Sequence, residues 1–588
     1  MTRLGYAEFR YADERLPGSD CMFLTPAERL ADYVARGWWD DITVDELFQR
    51  TARACGDTLA LVDPLNREQL DGRAPQHLAW PQLRDRVERL AGVMLAAGLR
   101  KDDVVCVQLP NTVDAVVVFL ACARLGLIVS PVVMQYREHE LRYILDLIDP
   151  AAFITIPTFA GHPHGAMAER LALEHSRMRV LRFGGGGQCD LSLLLEAPAD
   201  PAVAAYVADH PTRAGEVLTI CWTSGTEATP KGVPRDHNHW ILNARIIAES
   251  TGMKHGDTLL DPFPLVNIAS IGGLVLPWLW VAGRLVLHHP FDLAVFLRQI
   301  AAERVTYTIA PPAVLTMLLN QPALAADADF TSLRAIGSGS APLSPWLIRS
   351  WLETHGIQVC NIFGSNEGTS LISSAVDVPD TTERARYFPR WGAMGVHWDG
   401  ITSRVIRTRL VDPESEEEIV APGRPGELRI AGAMAFSGYW RSPDMNRAAF
   451  DEQGYFRTGD LFEIAGTGTL SRFYRFVGRF KEIIVRGGVN ISPAELDDLL
   501  VGLPLLKEAA TVGVPDQLLG ERVAVAVVAK DGATPTLDDI TAWLERSSVA
   551  IFKRPERLVI VDALPRNAMN KVVRSTLRAT VMRQLGMT

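Results

Sequence analysis

LTICWTSGTEATPKGVPR, residues 218–235, is the stretch from which the rest of the chain can be read. LTICW is a short β-prone run. It delivers the chain to a loop of small hydroxyl residues and glycine (Thr223, Ser224, Gly225, Thr226, Thr229), followed by Pro230, Lys231 and Gly232. Such a loop offers backbone N–H groups, hydroxyl donors and one lysine charge, which together can wrap phosphates. The pattern GxxxxGK[ST] cannot be aligned to it. Taken alone, the segment is equally compatible with a plain Ser/Thr/Gly turn.

Working outward, the texture is strand, helix, strand. VVCVQLP (104–110) precedes a helical segment through about Leu125. IVSPVVM, AFITIP (152–157), RLVLHH and RVTYTIAPP recur between amphipathic segments such as HELRYILDLI. This alternation predicts βαβ units and parallel sheets, an α/β fold. Beyond about residue 400 short strands and turns take over, and from about 482 a compact tail mixes helical and β segments. Gly184–Gly187 lies outside any strand-to-helix motif and reads as connection.

Two apolar stretches raise the question of a membrane span. Residues 113–134 carry Asp114 and Arg124, and residues 268–283 are broken by Gly272, Gly273 and Pro277. A spanning helix wants about 20 residues with few or no charges. Each stretch is therefore expected to be a buried helix running into a buried parallel strand, with peripheral membrane contact as the remaining alternative and no transmembrane segment.

The bulk properties suit a chain of several structural units in a cytosol. The chain has 588 residues, more than one ordinary core accommodates. A net charge of -10 argues against a general nucleic-acid binder. The seven cysteines form no CxxC pair, which points to reduced thiols. The first residues, MTRLGYAEFRYADER, lack the apolar run of a signal peptide.

Five further segments follow the opening loop in order: GSGSAPLSP (337–345), NIFGSNEG (361–368), GYFRTGD (454–460), VGRFKEIIVRGGVNISPAELDDLL (477–500) and LPRNAMNKVVR (564–574). With TSGTEATPKG they resemble the ordered motifs of the adenylate-forming superfamily, which contains acyl- and aryl-CoA synthetases, luciferases and peptide-synthetase adenylation domains. The front of the chain (YVARGWWDDITVDELF) is similar to bacterial CoA ligases for medium-chain or cyclic acids. VPRDHNHW is similar to aryl-acid adenylating enzymes.

The resemblance implies a large N-terminal domain of parallel-rich sheets with a small β-barrel-like subdomain (1–480), then a small mobile α+β domain (481–588). It implies ATP, Mg²⁺ and CoA as cofactors, and a carboxylic acid as substrate. Thr223, Ser224, Gly225, Thr226 and Lys231 would hold phosphates, with Thr226 also catalytic. Gly339, Ser340, Ala341, Pro342, Asn361, Phe363, Gly364, Ser365 and Asn366 would line the nucleotide. Asp460 would accept both ribose hydroxyls and Arg479 would reach ribose or phosphate. Glu367 would hold Mg²⁺, which on nucleotides takes one or two carboxylates plus phosphate oxygens and water.

Joining a carboxylate to the α-phosphate brings two anions together, so the site needs positive charge aimed at the developing transition state. Lys571 is the implied bridge between them. Lys481 is the implied pivot of the C-terminal domain, and Arg486, Gly487 and Gly488 the implied approach to the pantetheine arm. Trp240, Asn267, Ser270 and Gly337 would contribute to the acyl pocket, which the apolar run around Ile268, Ile271 and Leu274 makes mainly hydrophobic.

The chain departs from the family pattern at Asn366 (usually threonine), Ala228 and Asn570 (commonly glycine) and Asn267 (often histidine). Asn366 keeps a polar side chain for phosphate contact, and Asn570 tolerates a positive φ. Asn267, if buried among apolar neighbours, demands a partner: a polar group on the acid, a water or nearby backbone. Three functions stay open: a CoA ligase, a ligase loading a carrier protein in trans, and a silent acyl-nucleotide binding protein.

Overall fold

The computed structural model describes residues 24–223, 230–325, 328–339, 342–368, 370–486, 489–516, 518–547, 549, 551–567 and 571–587, with backbone alone at 370, 481, 489 and 490. The first apolar stretch forms the helix Val113–Leu125, every residue of which except Arg124 is buried. A helix that is apolar all round belongs in the interior, and its two charges are met there. Asp114 pairs with Arg67 and with Arg73 (2.8 Å), and Arg124 with Asp45 and Glu88 at 3.0 Å each. Gly126, with φ of 69°, ends the helix in the left-handed conformation that glycine adopts without strain. The chain then enters the buried strand Ile128–Pro131, parallel to Val104–Val107.

The second stretch forms a π-helix, Ile268–Val275, that passes into the α-helix Leu276–Trp280 and on to the strand Arg284–Leu287. That strand is parallel to Thr258–Asp261. Both stretches are thus buried helices feeding parallel strands. No described helix is long and apolar enough to cross a membrane.

Four sheets organise the described chain. In the first, the spatial order is Arg179–Arg182, Ala152–Thr155, Val104–Val107, Ile128–Pro131, Val217–Trp222 and Gly232–Asp236, with only the last pair antiparallel. In the second it is Ser370–Ser373, Gln358–Gly364, Ala335–Gly339, Tyr307–Ile309, Thr258–Asp261, Arg284–Leu287, Leu59–Val62 and His77–Ala79. Here the antiparallel pairs are confined to the two edges. The small β subdomain is an antiparallel five-stranded sheet, ordered Tyr387–Pro389, Phe473–Arg479, Phe456–Ile464, Gly426–Gly432 and Ile406–Val411.

The fourth sheet draws all its strands from residues 484–560. Its strand Gly520–Ala529 shows the period-2 logic of a two-sided sheet. Val523, Val525 and Val527 pack with Leu496 and Leu544, while Ala524 and Ala526 face Leu577 and Val581 of the last helix, Arg574–Gln584.

Candidate active site

The loop quoted first is anchored at both ends. Its strand, Val217–Trp222, is wholly buried. Thr223 N–H donates to the Lys231 carbonyl at 3.0 Å and Lys231 N–H to Thr223 Oγ1 at 3.2 Å, which closes the loop's base. Residues 224–229, and with them Ser224, Gly225, Thr226 and Ala228, lie outside the described residues. The Lys231 ammonium stands 5.2 Å from the centroid of the Tyr439 ring, and the Tyr439 hydroxyl donates to Glu367 Oε1 at 3.0 Å. A cation resting on the face of an aromatic ring is attracted by its quadrupole. Tyr439 therefore joins the phosphate loop to the carboxylate expected to hold metal. Sequence reading missed it, because FSGYW matches no phosphate or metal pattern.

Glu367 follows the strand Gln358–Gly364, and its carbonyl accepts from Phe436 N–H at 2.8 Å. The neighbouring Asn366 differs from expectation. Its Oδ1 accepts from Ile268 N–H (2.9 Å) and its Nδ2 donates to the Trp222 carbonyl (3.3 Å), while its own carbonyl accepts from Arg235 (3.0 Å). The carboxamide, expected on phosphate, instead ties the phosphate strand to the π-helix. A two-ended amide can bridge two backbone segments in this way, one partner to each end.

Arg235 is fully buried, with its guanidinium 4.8 Å from the centroid of Trp240. Burial draws its pKa down to about 10, which leaves it cationic at neutral pH. It too was missed; only its place four residues after Lys231 hinted at it.

The other nucleotide-side residues divide. Gly339 ends its strand half-buried, Gly364 is exposed, and Pro342 is exposed beside Ser340 and Ala341, which lie outside the described residues. Ser365 Oγ is buried and has no hydrogen-bond partner among the described residues, which fits a polar ligand there. Two of the residues expected on the nucleotide have protein partners for their side chains. Asn361 is buried and its amide donates to the carbonyls of Arg384 (3.2 Å) and Ala385 (3.0 Å), so it holds a helix end. Phe363 packs into an aromatic cluster with Phe388, Phe462 and Phe476, at centroid distances of 6.0, 5.1 and 5.8 Å. An aromatic ring beside a strand finds more apolar contact in such a cluster than at an open cleft.

Asp460 and Arg479 face each other on adjacent strands, with Nε to Oδ1 at 3.2 Å. Burial pushes Asp460 up to about 6, against the opposing pull of Arg479 and Lys571. Lys571 enters this cleft from the fourth-sheet unit. Its N–H donates to Asn567 Oδ1 (3.0 Å) and its carbonyl accepts from Asn567 N–H (2.9 Å). Asn570 is outside the described residues. The side chain still meets solvent, yet the cleft walls desolvate it enough to lower its pKa. Arg479 acts in the same direction; Asp460 and Glu367 oppose it. Four charged groups named from separate motifs thus share one electrostatic neighbourhood.

The expected pivot lies in the 3₁₀ turn Phe480–Glu482, where only the backbone of Lys481 is described. Arg574 clamps this turn to the rest of its unit. It pairs with Glu482 (3.0 Å) and Asp497 (2.6 Å) and donates to the Thr511 carbonyl (2.7 Å). Arg486, expected near the pantetheine arm, is instead engaged by Glu556 at 3.0 and 2.9 Å, which also takes Arg522 at 2.6 Å. A bidentate carboxylate satisfies a guanidinium better than an open surface does. Gly487 and Gly488 lie outside the described residues.

At the acyl end, Trp240 is buried and donates from Nε1 to Thr219 Oγ1 at 3.0 Å. Asn267 is half-buried and caps the π-helix, its Oδ1 accepting from Ala269 N–H (3.0 Å) and Ser270 N–H (3.3 Å). Nearby backbone therefore engages the carboxamide oxygen. Ser270 donates from its hydroxyl to Asp261 at 2.5 Å. Asp261 is fully buried, and burial pushes it up to about 7. Gly337 lies on the strand face that carries Ile309 and Tyr307.

No group of three or more His, Cys, Asp or Glu side chains among the described residues could hold a metal ion. Glu367 is the carboxylate expected to hold metal, and one carboxylate would suit a divalent cation that takes its other ligands from nucleotide phosphates and water.

The comparisons with known proteins agree with this geometry. Residues 48–440 match the AMP-binding enzyme family and residues 495–571 the AMP-binding enzyme C-terminal domain. The chain is 28% identical over 571 residues to a medium-chain fatty-acid–CoA ligase of Escherichia coli (strain K12), covering 95% of this chain and 94% of that protein. It is 31% identical over 568 residues to a 2-hydroxy-7-methoxy-5-methyl-1-naphthoate–CoA ligase of Streptomyces carzinostaticus, covering 95% and 96%. Among solved structures, ATP-bound MatB from Rhodopseudomonas palustris superimposes with a TM-score of 0.75 at 26% identity, covering 92% of this chain and 99% of that one. The chain belongs to the AMP-binding enzyme family, and through it to the adenylate-forming ligases.

Proposed function

We propose that the protein activates a mainly hydrophobic carboxylic acid as its acyl adenylate and passes the acyl group to CoA. The observation that carries this reading is the electrostatic convergence of Lys571, Arg479, Asp460 and Glu367, four groups from separate segments. In the first step a carboxylate oxygen attacks the α-phosphorus of ATP and pyrophosphate leaves. In the second the CoA thiol, losing its proton, attacks the acyl carbon and AMP leaves.

Lys571 supports the first step by placing a positive charge against both anions. Desolvation strengthens that charge's effect on developing oxyanions, because less water competes for it. Asp460, ionised above about pH 6, would accept the ribose hydroxyls and orient the nucleotide. Glu367, oriented by Tyr439, would hold a divalent cation, which when bound neutralises phosphate charge.

Residues 1–480 and 481–588 would act as two bodies hinged at Lys481. The electrostatic reach of Lys571 to Asp460 and Glu367 supports an arrangement suited to adenylation. Turning the second body would withdraw Lys571 and bring the 486–490 segment to the cleft. The acids named for the two relatives above, a medium-chain fatty acid and a substituted naphthoate, are both largely apolar. So is the surround of the π-helix, with Ile271, Leu274 and Val275 buried.

The deciding measurement is pyrophosphate release across a panel of acids, followed by AMP release on adding CoA or a holo carrier protein. Acid-dependent pyrophosphate release that proceeds to AMP with CoA supports the proposal. Turnover only with a carrier protein would move the acceptor. Release with no acid, in protein that binds ATP, would overturn it.

A further inference from the structure

The face of the second sheet that looks toward the π-helix is largely apolar, with the Asp261 carboxylate bonded to Ser270 of that helix. The register pairs Tyr307 with Ala335 and Ile309 with Gly337, so these four side-chain positions share one face. A Cβ placed on Gly337 would lie 2.6 Å from the Tyr307 hydroxyl, 2.8 Å from Ile362 Cδ1 and 3.1 Å from Ile309 Cγ1. A Cβ on Gly273 of the π-helix would lie 2.6 Å from Ile309 Cδ1. Ile309 therefore spans from sheet to π-helix, and the Tyr307 hydroxyl sits beside it over a residue that has no side chain. Only glycine leaves that hydroxyl room.

This hydroxyl is anomalous. Tyr307 is 1% exposed, and its oxygen has no hydrogen-bond partner among the described residues. Buried phenol groups normally find a partner, and an unsatisfied one opposes folding. Asn243, equally buried on the helix His237–Thr251, repeats the pattern. Its Nδ2 donates to the Gly272 carbonyl at 2.7 Å, while its Oδ1 has no partner. Two orphaned polar atoms therefore flank the apolar strip between sheet and π-helix. Asn267, the polar residue first suspected of reading the acid, spends its oxygen on helix capping instead. Burial holds the Tyr307 phenol well above its ordinary pKa, so it remains a protonated donor.

We propose that Tyr307 is a specificity-determining residue, whose hydroxyl binds a hydroxyl, keto or ether oxygen at the end of the acid remote from its carboxylate. This rests on the acyl-adenylation reading above and sharpens its substrate class. The rest of the acid would lie against Ile309, Ile268 and Ile362. An acid of the same skeleton lacking the oxygen would leave the phenol unpaired and bind less well.

The test uses the full-length protein and pairs of acids of one skeleton, with and without a remote oxygen, read as kcat/KM for pyrophosphate release. The wild type is expected to favour the oxygenated acid by about thirtyfold. Tyr307→Phe should cut that ratio at least about tenfold, the scale on which one hydrogen bond discriminates. Gly337→Ala should depress kcat/KM, and Tyr307→Phe in that background should recover part of the loss, because the colliding oxygen is gone. A wild-type ratio near one, or a ratio that Tyr307→Phe leaves unchanged, overturns the inference. Calorimetric ATP binding in the same preparations separates the two levels. Protein that binds no ATP overturns the adenylation reading itself, whereas protein that binds ATP without the preference overturns only the role of Tyr307.

Discussion

The two ends of the cleft are built on opposite principles. The proposed nucleotide end is held by charges, several of them within reach of solvent: Lys571, Arg479, Asp460 and Glu367 come from four separate segments and act on one another, and Lys231 joins them through Tyr439. The acyl end is a packed interior in which Trp240, Ile271, Leu274 and Tyr307 are each 1% exposed or less. There single glycines decide where side chains fit, and the buried carboxylate of Asp261 accepts from a hydroxyl and a backbone N–H. At the first end a substitution should change rate. At the second it should change which acid is accepted, or stability.

The largest contrast is expected from Lys571→Ala. It should lower acyl-adenylate formation by at least about a thousandfold, roughly 4 kcal/mol of transition-state stabilisation. Thioester formation from supplied acyl adenylate should survive. Equal loss of both half-reactions in folded protein would mean that Lys571 serves structure.

Lys481→Pro should do the reverse. Proline holds φ near -65° and stiffens the turn Phe480–Glu482. Pyrophosphate exchange should persist while thioester formation falls by about two orders of magnitude, an effect of roughly 3 kcal/mol. Both rates unchanged would put the pivot elsewhere.

Asp261 tests the acyl end through pH. Its folded-state pKa of about 7 lies above the unfolded value of 3.8, so between those values the folded state binds more protons. Wild-type stability should therefore fall as pH rises through that window and level off above pH 7. Asp261→Asn removes the titration, and its melting temperature relative to wild type should climb from pH 4 to pH 7. A constant difference would show that the carboxylate is ionised throughout.

Tyr439→Phe removes one hydrogen bond to Glu367 while keeping the ring under Lys231. Adenylation should slow by about tenfold, about 1.4 kcal/mol, with a higher Mg²⁺ concentration needed for half-maximal rate. An unchanged Mg²⁺ dependence would detach Glu367 from the metal. Asn267→Leu should have the smallest effect. It deletes a helix cap, costing about 1 kcal/mol of stability in a denaturation experiment. Oxygenated and plain acids should suffer alike, and a selective loss of one would return Asn267 to the acyl pocket.

Much of this was legible before any coordinates. Lys571, Asp460, Arg479 and Glu367 sit in short local patterns, because a charge needed at the end of a strand or in a tight turn imposes its neighbours' identities. The buried helix Val113–Leu125 and its parallel strand were readable for a similar reason: continuous apolar patterning leaves an interior location as the economical outcome. Arg486, Asn361 and Phe363 have protein partners that motif position did not reveal, since Glu556, Arg384 and Phe462 lie outside any local window. Tyr439 is separated from Glu367 by 72 positions, a contact no local window contains.

The sequence by itself determined the α/β alternation, the order of the phosphate, ribose and lysine segments, and so the class of chemistry. Only the tertiary structure decided what each polar side chain faces. It turned Asn366 and Asn267 toward backbone, left the Tyr307 hydroxyl unpaired above Gly337, and set Tyr439 between Lys231 and Glu367. The reason is physical: patterning follows from local propensity and hydrophobicity, whereas a hydrogen bond is settled by which atoms the packed strands bring within 3 Å or so.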